Sequence, residues 1–243
     1  AERYRVYVRM NGAWKCVGST TDTTYTYTQA VSGQTYSFTL RCTNEADNAF
    51  TSYCDTKGWS TTYVAQPEVT GLECTDSGVK VTWDAVPGAA RYRVYARVGG
   101  GWKYVGSTTG TSYVVPGAKN GVKYAFTVRC VNAANNAFTS SCFESGWYHT
   151  YMAPPVVTRL EAVNGGVKIT WGKVAGAERY RVYVKTDSGW KHIGSTAGTA
   201  YIYKGAESGK TYTFTVRCAT ADNSAFTSGF NPTGWSVLYV DTP

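Results

Sequence analysis

A long segment of this chain is written three times, and this repetition restricts the possible folds more than any other feature. In its first copy the segment reads RCTNEADNAFTSYCDTKGW, and its copies begin at Arg41, Arg129 and Arg217. The motif RYRVY recurs at the same interval of 88 residues, at Arg3, Arg91 and Arg179. Such a period is too long for one turn of a solenoid and fits a small independent domain. The sequence therefore predicts tandem domains.

Within each period, short runs alternate between apolar and polar residues. Val79–Trp83 (VKVTW) and Arg91–Val98 (RYRVYARV) are two such runs, and clusters of Gly, Asn, Pro and Thr separate them from the next. The chain contains 20 Tyr and 8 Trp, and aromatic side chains suit a pleated, half-buried surface. Alternation with frequent turn signals is typical of a β-sandwich, and no helical periodicity competes with it. We predict an all-β protein of tandem sandwiches.

The residues of one period resemble a fibronectin type III domain. The resemblance covers essentially the whole chain and is carried by PEVTGLECTDSGVKVTWDAVPGAARYRVYARV, then TSYVV, then GVKYAFTVRCVN. It implies an immunoglobulin-like sandwich in which Trp83 and Trp171 are core residues. It also implies that the family's tyrosine before the sixth strand is present in each copy, at Tyr36, Tyr124 and Tyr212. This fold hosts many unrelated roles, so the resemblance indicates little about function.

The repeat predicts three domains, at residues 1–65, 66–153 and 154–243. Short joints that contain proline, Ala65-Gln66-Pro67 and Ala153-Pro154-Pro155, predict limited freedom between them. The first copy has no counterpart of the two strands that open the others. Three explanations stay open: a window cut from a longer repetitive protein, a proteolytic product, or completion of the first domain by strand addition from another chain. We favour the first two.

The cysteines suggest how the long loop between the last two strands is held. Two pairs share the same spacing, Cys42 with Cys54 and Cys130 with Cys142, and we expect both to form disulfides. Closing a loop of that length would stabilise the fold by roughly 3 kcal/mol. In the third copy the counterpart of Cys54 is Phe230, which we interpret as an apolar anchor. The pairing of the other cysteines stays open, and they are Cys16, Cys74 and Cys218.

The loop core AFTS is identical in all three copies and is our first candidate binding element. It would present one phenylalanine per copy, at Phe50, Phe138 and Phe226. A rigid loop binds at a lower entropic cost than a mobile one, which favours a role in recognition. The alternative is that each ring packs under its own loop and only shapes it.

A basic, aromatic sheet face is our second candidate. If the intervening residues of RYRVY point inward, outward residues alternate between Arg and Tyr. They are Arg5 and Tyr7, Arg93 and Tyr95, and Arg181 and Tyr183. Such a face could bind acidic glycans or an acidic protein surface. The alternative is an ordinary solvated sheet face. Tryptophans at the start of the next strand could be sugar platforms or could pack over the sheet edge, and they are Trp14, Trp102 and Trp190.

Several function classes find no support in the sequence. The two histidines, His149 and His192, fall at unrelated positions of the repeat, and no nucleophile, phosphate-loop, zinc-spacing or cofactor motif accompanies them. We therefore predict no enzyme activity, no cofactor and no metal. No apolar run could insert into a membrane, and the net charge of +8 comes without a nucleic-acid recognition motif.

We interpret the chain as a noncatalytic binding array. Matched loop cysteines indicate an extracellular or cell-surface location, and the style of the repeats resembles surface proteins of Gram-positive gut bacteria. The expected partner is a host protein or glycoprotein, such as an immunoglobulin or a mucin, or another acidic or glycan surface. Repeated sites would provide avidity. The alternative is a structural spacer within a secreted carbohydrate-active enzyme or a cell-wall protein.

Overall fold

The computed structural model describes residues 1–241, and their regular structure is entirely β-strand. Eighteen strands form five sheets in this part of the chain. No helix occurs among the described residues, so none could cross a membrane. The predicted all-β class with antiparallel pairing is confirmed. Thr242 and Pro243, the end of the predicted third domain, lie outside the described residues.

The first repeat forms a single sheet of four strands in the order β2-β1-β3-β4. The strands are β1 (Arg3–Met10), β2 (Ala13–Thr20), β3 (Thr35–Thr43) and β4 (Trp59–Thr62). Asn11 and Gly12 join the first two strands with φ angles of 50° and 84°. A two-residue turn with positive φ at both positions matches the right-handed twist of the strands it connects.

The second repeat adds a second sheet. The four-stranded sheet has the order β11-β10-β7-β8, and a three-stranded sheet has the order β5-β6-β9. The strands are β5 (Val69–Cys74), β6 (Gly78–Trp83), β7 (Arg91–Arg97), β8 (Lys103–Thr108), β9 (Ser112–Pro116), β10 (Lys123–Val131) and β11 (Trp147–Thr150).

The third repeat has the same arrangement of four plus three strands, in the orders β15-β14-β17-β18 and β12-β13-β16. The strands are β12 (Val157–Val163), β13 (Gly166–Trp171), β14 (Arg179–Thr186), β15 (Gly189–Thr196), β16 (Ala200–Tyr203), β17 (Thr211–Ala219) and β18 (Trp235–Leu238). Its core joins residues of both sheets: Ile169 and Trp171 from β13 pack in one cluster with Tyr180, Val182 and Phe214 from β14 and β17. The third repeat is therefore a sandwich.

The tryptophans and the tyrosines implied by the resemblance occupy the expected positions. Trp83 and Trp171 are 1% and 2% exposed. The tyrosine before the sixth strand binds the backbone upstream in every copy. Its hydroxyl accepts a hydrogen bond of 2.9 Å from the amide of Val31, Lys119 or Glu207, respectively. A hydroxyl that ties this strand to the chain five residues earlier is the tyrosine corner of immunoglobulin-like sandwiches.

The described residues divide by contact density into two compact units that differ from the repeats. One unit comprises Ala1–Glu68, Asp84–Arg93 and Val128–Phe143, and the other comprises the rest of the described chain. Loops of the second repeat are thus grouped with the first repeat. The domain boundaries after residues 65 and 153 stay a prediction.

Replacement of the core tryptophan of the third repeat should destabilise that sandwich strongly. We expect Trp171→Ala to lower the local free energy of unfolding by about 3–5 kcal/mol, because it leaves a cavity between the sheets. Native-state hydrogen exchange at amides of β14 and β17 measures this quantity. Trp59→Ala is the matched control, since Trp59 is 66% exposed. Equal effects of the two substitutions would contradict the core assignment.

Candidate functional site

The AFTS loop is an ordered extension of the strand that precedes it. In each copy its phenylalanine forms an isolated antiparallel bridge with the end of that strand: Thr43 with Phe50, Val131 with Phe138, and Ala219 with Phe226. The following threonine amide donates to the carbonyl of the strand's cysteine at 3.0 Å in all three copies. Backbone hydrogen bonds therefore attach the loop to the strand without any disulfide.

Two arginines approach each loop phenylalanine. One comes from the RYRVY strand that was predicted to carry the basic face, with its Cζ 4.8 to 5.3 Å from the ring centroid, and the other comes from the neighbouring strand. The nearer arginine lies on the sixth strand of the repeat, and its Cζ is 3.6 to 3.8 Å from the ring centroid, for Arg41, Arg129 and Arg217. Its Nε also donates to the loop carbonyl of Ser52, Ser140 or Ser228. We call each phenylalanine with its two arginines the arginine clamp. The three clamps are Phe50 with Arg41 and Arg5, Phe138 with Arg129 and Arg93, and Phe226 with Arg217 and Arg181.

The second arginine of each clamp is fixed by a loop residue that the sequence analysis missed. Arg5, Arg93 and Arg181 donate from Nε to the side-chain oxygen of Asp47, Asn135 and Asn223, at 2.8, 2.8 and 2.7 Å. These three partners have φ angles of 54°, 57° and 62°. Asp and Asn tolerate this left-handed backbone better than other side chains. An Asp or Asn at the same loop position of every copy was the signal in the sequence.

The two candidate sites of the sequence analysis are thus one site. Its phenylalanine is half-exposed in each copy, with Phe50, Phe138 and Phe226 at 44%, 45% and 42%. The alternative in which the rings are buried under their loops does not describe the structure. The alternative of an ordinary solvated sheet face does not describe the arginines either, because each clamp arginine binds its own loop through Nε.

The charge of the clamp differs between the copies. In the first copy the carboxylate of Asp47 forms an ion pair with Arg5 and raises the pKa of that guanidinium. Asn223 is neutral, so it leaves the charge of Arg181 uncompensated. Within residues 1–241, no carboxylate forms an ion pair with Arg217, although Glu73 lies near enough to act on it electrostatically. Burial lowers the pKa of Arg217, which shows that its charge is partly removed from water.

The predicted tyrosines lie on the same outward faces. Tyr95 meets Tyr104 edge-on, with ring centroids 5.9 Å apart, and Tyr183 lies 5.4 Å from His192. Tyr7 is half-buried at the matching position, opposite Cys16 on β2.

The third copy adds a small aromatic cavity to its clamp. The cavity has a volume of about 120 Å³. It is lined by Tyr183, Trp190, Thr215, Arg217, Phe226 and Phe230. The ring of Phe230 meets Trp190 edge-on at 6.3 Å. The predicted apolar anchor therefore lies on the outward face, where it forms one wall of this cavity.

The predicted disulfides Cys42–Cys54 and Cys130–Cys142 are absent from the structure. All seven cysteines lie within the described residues and are free. The third copy shows the physical reason: Cys218 faces the core, whereas Phe230 at the second cysteine position packs against Arg217 on the outward face. Neighbouring residues of a strand point to opposite faces, so the sheet separates the two positions. The loop cysteines therefore no longer support an oxidising, extracellular location.

The tryptophans that were predicted as possible sugar platforms lie at the start of the second strand of each four-stranded sheet. They pack over that sheet. A Cβ at Gly58, Gly146 or Gly234 would lie 2.5 to 2.6 Å from Cη2 of Trp14, Trp102 or Trp190, respectively. Each glycine has a φ between 71° and 76°. The alternative of packing against the sheet is therefore correct, and these rings are not free platforms.

The cysteine and histidine side chains form no metal cluster in the described chain. No group of three His, Cys, Asp or Glu side chains could hold a metal ion among residues 1–241. His149 lies 3.2 Å from the Sγ atom of Cys74. Burial lowers the pKa of this histidine and raises the pKa of this thiol, so the pair is held in its neutral form.

The strand orders of the second and third repeats, together with the core that the two sheets of the third repeat share, define fibronectin type III-like β-sandwiches. No protein-family model matches the chain, and no curated protein matches it. Among solved structures, it is similar to the FN1–FN3 domains of chicken CNTN1, with 12% identity, a TM-score of 0.40, and coverage of 98% of this chain and 91% of that one. It is also similar to the chicken interferon gamma receptor alpha chain, with 11% identity, a TM-score of 0.35, and coverage of 73% and 98%.

Exchange of the inner clamp arginine for lysine should loosen the loop of the third copy. Lysine cannot both stack a planar group on Phe226 and donate to Ser228 in the same geometry. We expect Arg217→Lys to speed hydrogen exchange at the Thr227 amide about tenfold, which corresponds to the loss of one such hydrogen bond. Arg179→Lys is the control, because Arg179 donates only to the exposed carbonyl of Ala221. Unchanged exchange at Thr227 would refute the clamp.

The loop carboxylate of Asp222 should titrate at unusually low pH. Hydrogen bonds from the side chain of Thr220 and the amide of Ser224 lower its pKa to about 2. Because the folded pKa lies below the ordinary value of 3.8, the carboxylate stabilises the fold above that value and loses this contribution as the pH falls toward 2.

Thr220→Val removes the first of these hydrogen bonds and should raise the pKa of Asp222. The measurement is an NMR titration of the carboxyl carbon. Thr196→Val is the control, because its hydroxyl accepts from the Gly198 amide. An unchanged pKa in Thr220→Val would contradict the assigned cause.

Proposed function

We propose that the chain is a noncatalytic binding array whose recognition elements are the arginine clamps. The observation that carries this proposal is a half-exposed phenylalanine held in the same way in all three copies. The loop is ordered before any partner arrives, so binding would cost little conformational entropy. Three copies of one weak site would raise the effective affinity for a repetitive partner.

The partner that we infer is acidic. Arg217 is partly desolvated and forms no ion pair within residues 1–241, where Glu73 acts on it only through space, and an anionic group in direct contact would compensate its charge further. The aromatic cavity beside it could receive an apolar or sugar surface. Sialylated glycoproteins combine both properties. A mucin is therefore the partner class that fits best, and an immunoglobulin is the second candidate.

The setting that we infer is the cell surface or the secreted fraction of a Gram-positive gut bacterium. The bacterial origin rests on the style of the repeats alone. In this setting the protein would act as an adhesin or as a host-factor-binding protein.

A structural spacer is the second candidate function. One observation favours it: Nε of every clamp arginine is already engaged by its own loop. The clamp could therefore serve only to stiffen the end of each sandwich. A spacer needs no exposed phenylalanine, and this difference separates the two functions experimentally.

The test is binding of the full chain to immobilised sialylated mucin and to immunoglobulin G. We expect Phe138→Ala with Phe226→Ala to weaken mucin binding at least about tenfold, because truncated anchor residues dominate interface energies. The matched control is Val114→Ala with Ile202→Ala, two apolar residues on the other sheets with exposures of 39% and 45%. Removal of sialic acid from the mucin should weaken binding as well. Absence of binding to both probes, or equal loss in both double variants, would leave the spacer as the better account.

A further inference from the structure

One polar side chain bridges each predicted joint between repeats. At the first joint this residue is Ser32, which lies in the turn before β3. Its hydroxyl accepts a hydrogen bond of 2.8 Å from the amide of Ala65, in the linker. The same hydroxyl donates to the carbonyl of Pro87, in the loop after β6, also at 2.8 Å. Ser32 therefore connects its own repeat to the linker and to the repeat that follows.

At the second joint, Asn120 makes the same two contacts with a different side chain. Its Oδ1 accepts from the amide of Ala153 at 2.9 Å, and its Nδ2 donates to the carbonyl of Ala175 at 3.5 Å. All three residues lie 88 positions after their counterparts at the first joint. Serine and asparagine share a short side chain that offers both a donor and an acceptor. The two joints thus differ in residue type but retain the property that the bridge requires.

Each bridge lies inside one compact unit of the chain. Ser32, Ala65 and Pro87 belong to one unit, and the three residues of the second bridge belong to the other. Glycine follows the bridging residue and also follows its carbonyl partner. At the first joint, a Cβ at Gly88 would lie 2.8 Å from the Cα of Gly33. The backbones of the two repeats are therefore in direct contact beside the bridge.

The second joint contains another contact, between the AFTS loop of the third repeat and the second repeat. Gly229 directly follows this loop core and is buried. A Cβ at Gly229 would lie 2.4 Å from the carbonyl carbon of Thr75, in the turn between β5 and β6. The hydroxyl of Thr227 donates to Sδ of Met152 at 3.1 Å. Contacts at two separate points oppose the hinge motion that a single contact would permit.

We propose that Ser32 and Asn120 are latch residues, which hold each repeat in a fixed orientation to the repeat that follows. Domains in one chain move relative to each other where their interface is small, and the latch would suppress this motion. In a binding array it would fix the distance between successive sites, on which avidity depends. The proposal does not rest on a binding role, because a spacer would need the same stiffness.

The test measures residual dipolar couplings of the full chain for two groups of amides, those of β5, β6 and β9 and those of β14 and β17. A rigid joint gives both groups the same alignment tensor, whereas a loose joint gives them different tensors. Asn120→Asp retains the acceptor for the Ala153 amide but places a carboxylate oxygen against the carbonyl of Ala175. We expect this variant to lose the shared tensor.

Two matched variants should keep the shared tensor. Asn120→Ser introduces the residue of the first joint, which provides both a donor and an acceptor. Asn136→Asp adds the same charge as Asn120→Asp at a side chain that serves only as an acceptor, for Asn132.

Hydrogen exchange distinguishes the two halves of the latch. Asn120→Ala removes the acceptor, so exchange at the Ala153 amide should become about tenfold faster, which corresponds to the loss of one such hydrogen bond. Asn120→Asp keeps the acceptor and should change this rate by no more than about twofold.

Gly229→Ala tests the second contact of this joint. The added methyl group would collide with the backbone of Thr75, so we expect loss of the shared tensor. Gly172→Ala is the control, because a Cβ at Gly172 would meet nothing within 4 Å.

Three results would overturn the proposal. The first is a pair of different tensors in the unmodified chain, because the joint would then be loose despite the bridge. The second is a shared tensor in a folded Asn120→Asp variant. The third is an Asn120→Ser variant that behaves like Asn120→Asp, because a bridging donor and acceptor would then be insufficient. Mucin binding by the phenylalanine variants affects none of these results, so the two proposals fail separately.

Discussion

Burial of one face of each four-stranded sheet is the constraint on which the rest of the structure depends. In the third repeat, Tyr180, Phe214 and Val216 face a second sheet that brings Ile169 and Trp171 against them. Burial of each such side chain stabilises the fold by about 1.5–3 kcal/mol, so the cover accounts for much of the stability of a small domain. The first repeat has the same inward face without the covering strands. Among the described residues, Leu40 on this face is 48% exposed, whereas its counterpart Val216 is buried.

The outward face obeys the same alternation and carries the clamp. Arg217 points away from the core because its neighbour Cys218 points into it. Once outside, a guanidinium can stack on an aromatic ring and still donate hydrogen bonds in its own plane, which an ammonium cannot do. This dual use explains why one residue orders the loop and also displays the ring of Phe226. It also explains why the structure supports a recognition role and a spacer role with the same contacts.

The period and the alternation were sufficient to predict the strands and the outward arginines, because these features depend on local pattern, whereas the buried tryptophans were implied by the resemblance to the fibronectin type III family. Two aspects of the site were beyond that pattern. The contact of Arg181 with Asn223 joins residues that are 42 positions apart and depends on a left-handed backbone in the loop. The prediction of two disulfides was wrong for a similar reason, because equal spacing in sequence does not determine which face of the sheet each thiol occupies.

The three copies share a scaffold but not the charge of the site, and this limits how far duplication implies equivalent function. Asp47 neutralises Arg5, whereas Asn223 leaves the charge of Arg181 in place. An anionic group would therefore gain more from the third copy than from the first, where it would have to compete with a carboxylate that is already bound. The first copy differs on its inward face as well, where Leu40 is exposed and Phe38 is half-buried. The copies are therefore not interchangeable, although the same contacts build the scaffold of each site.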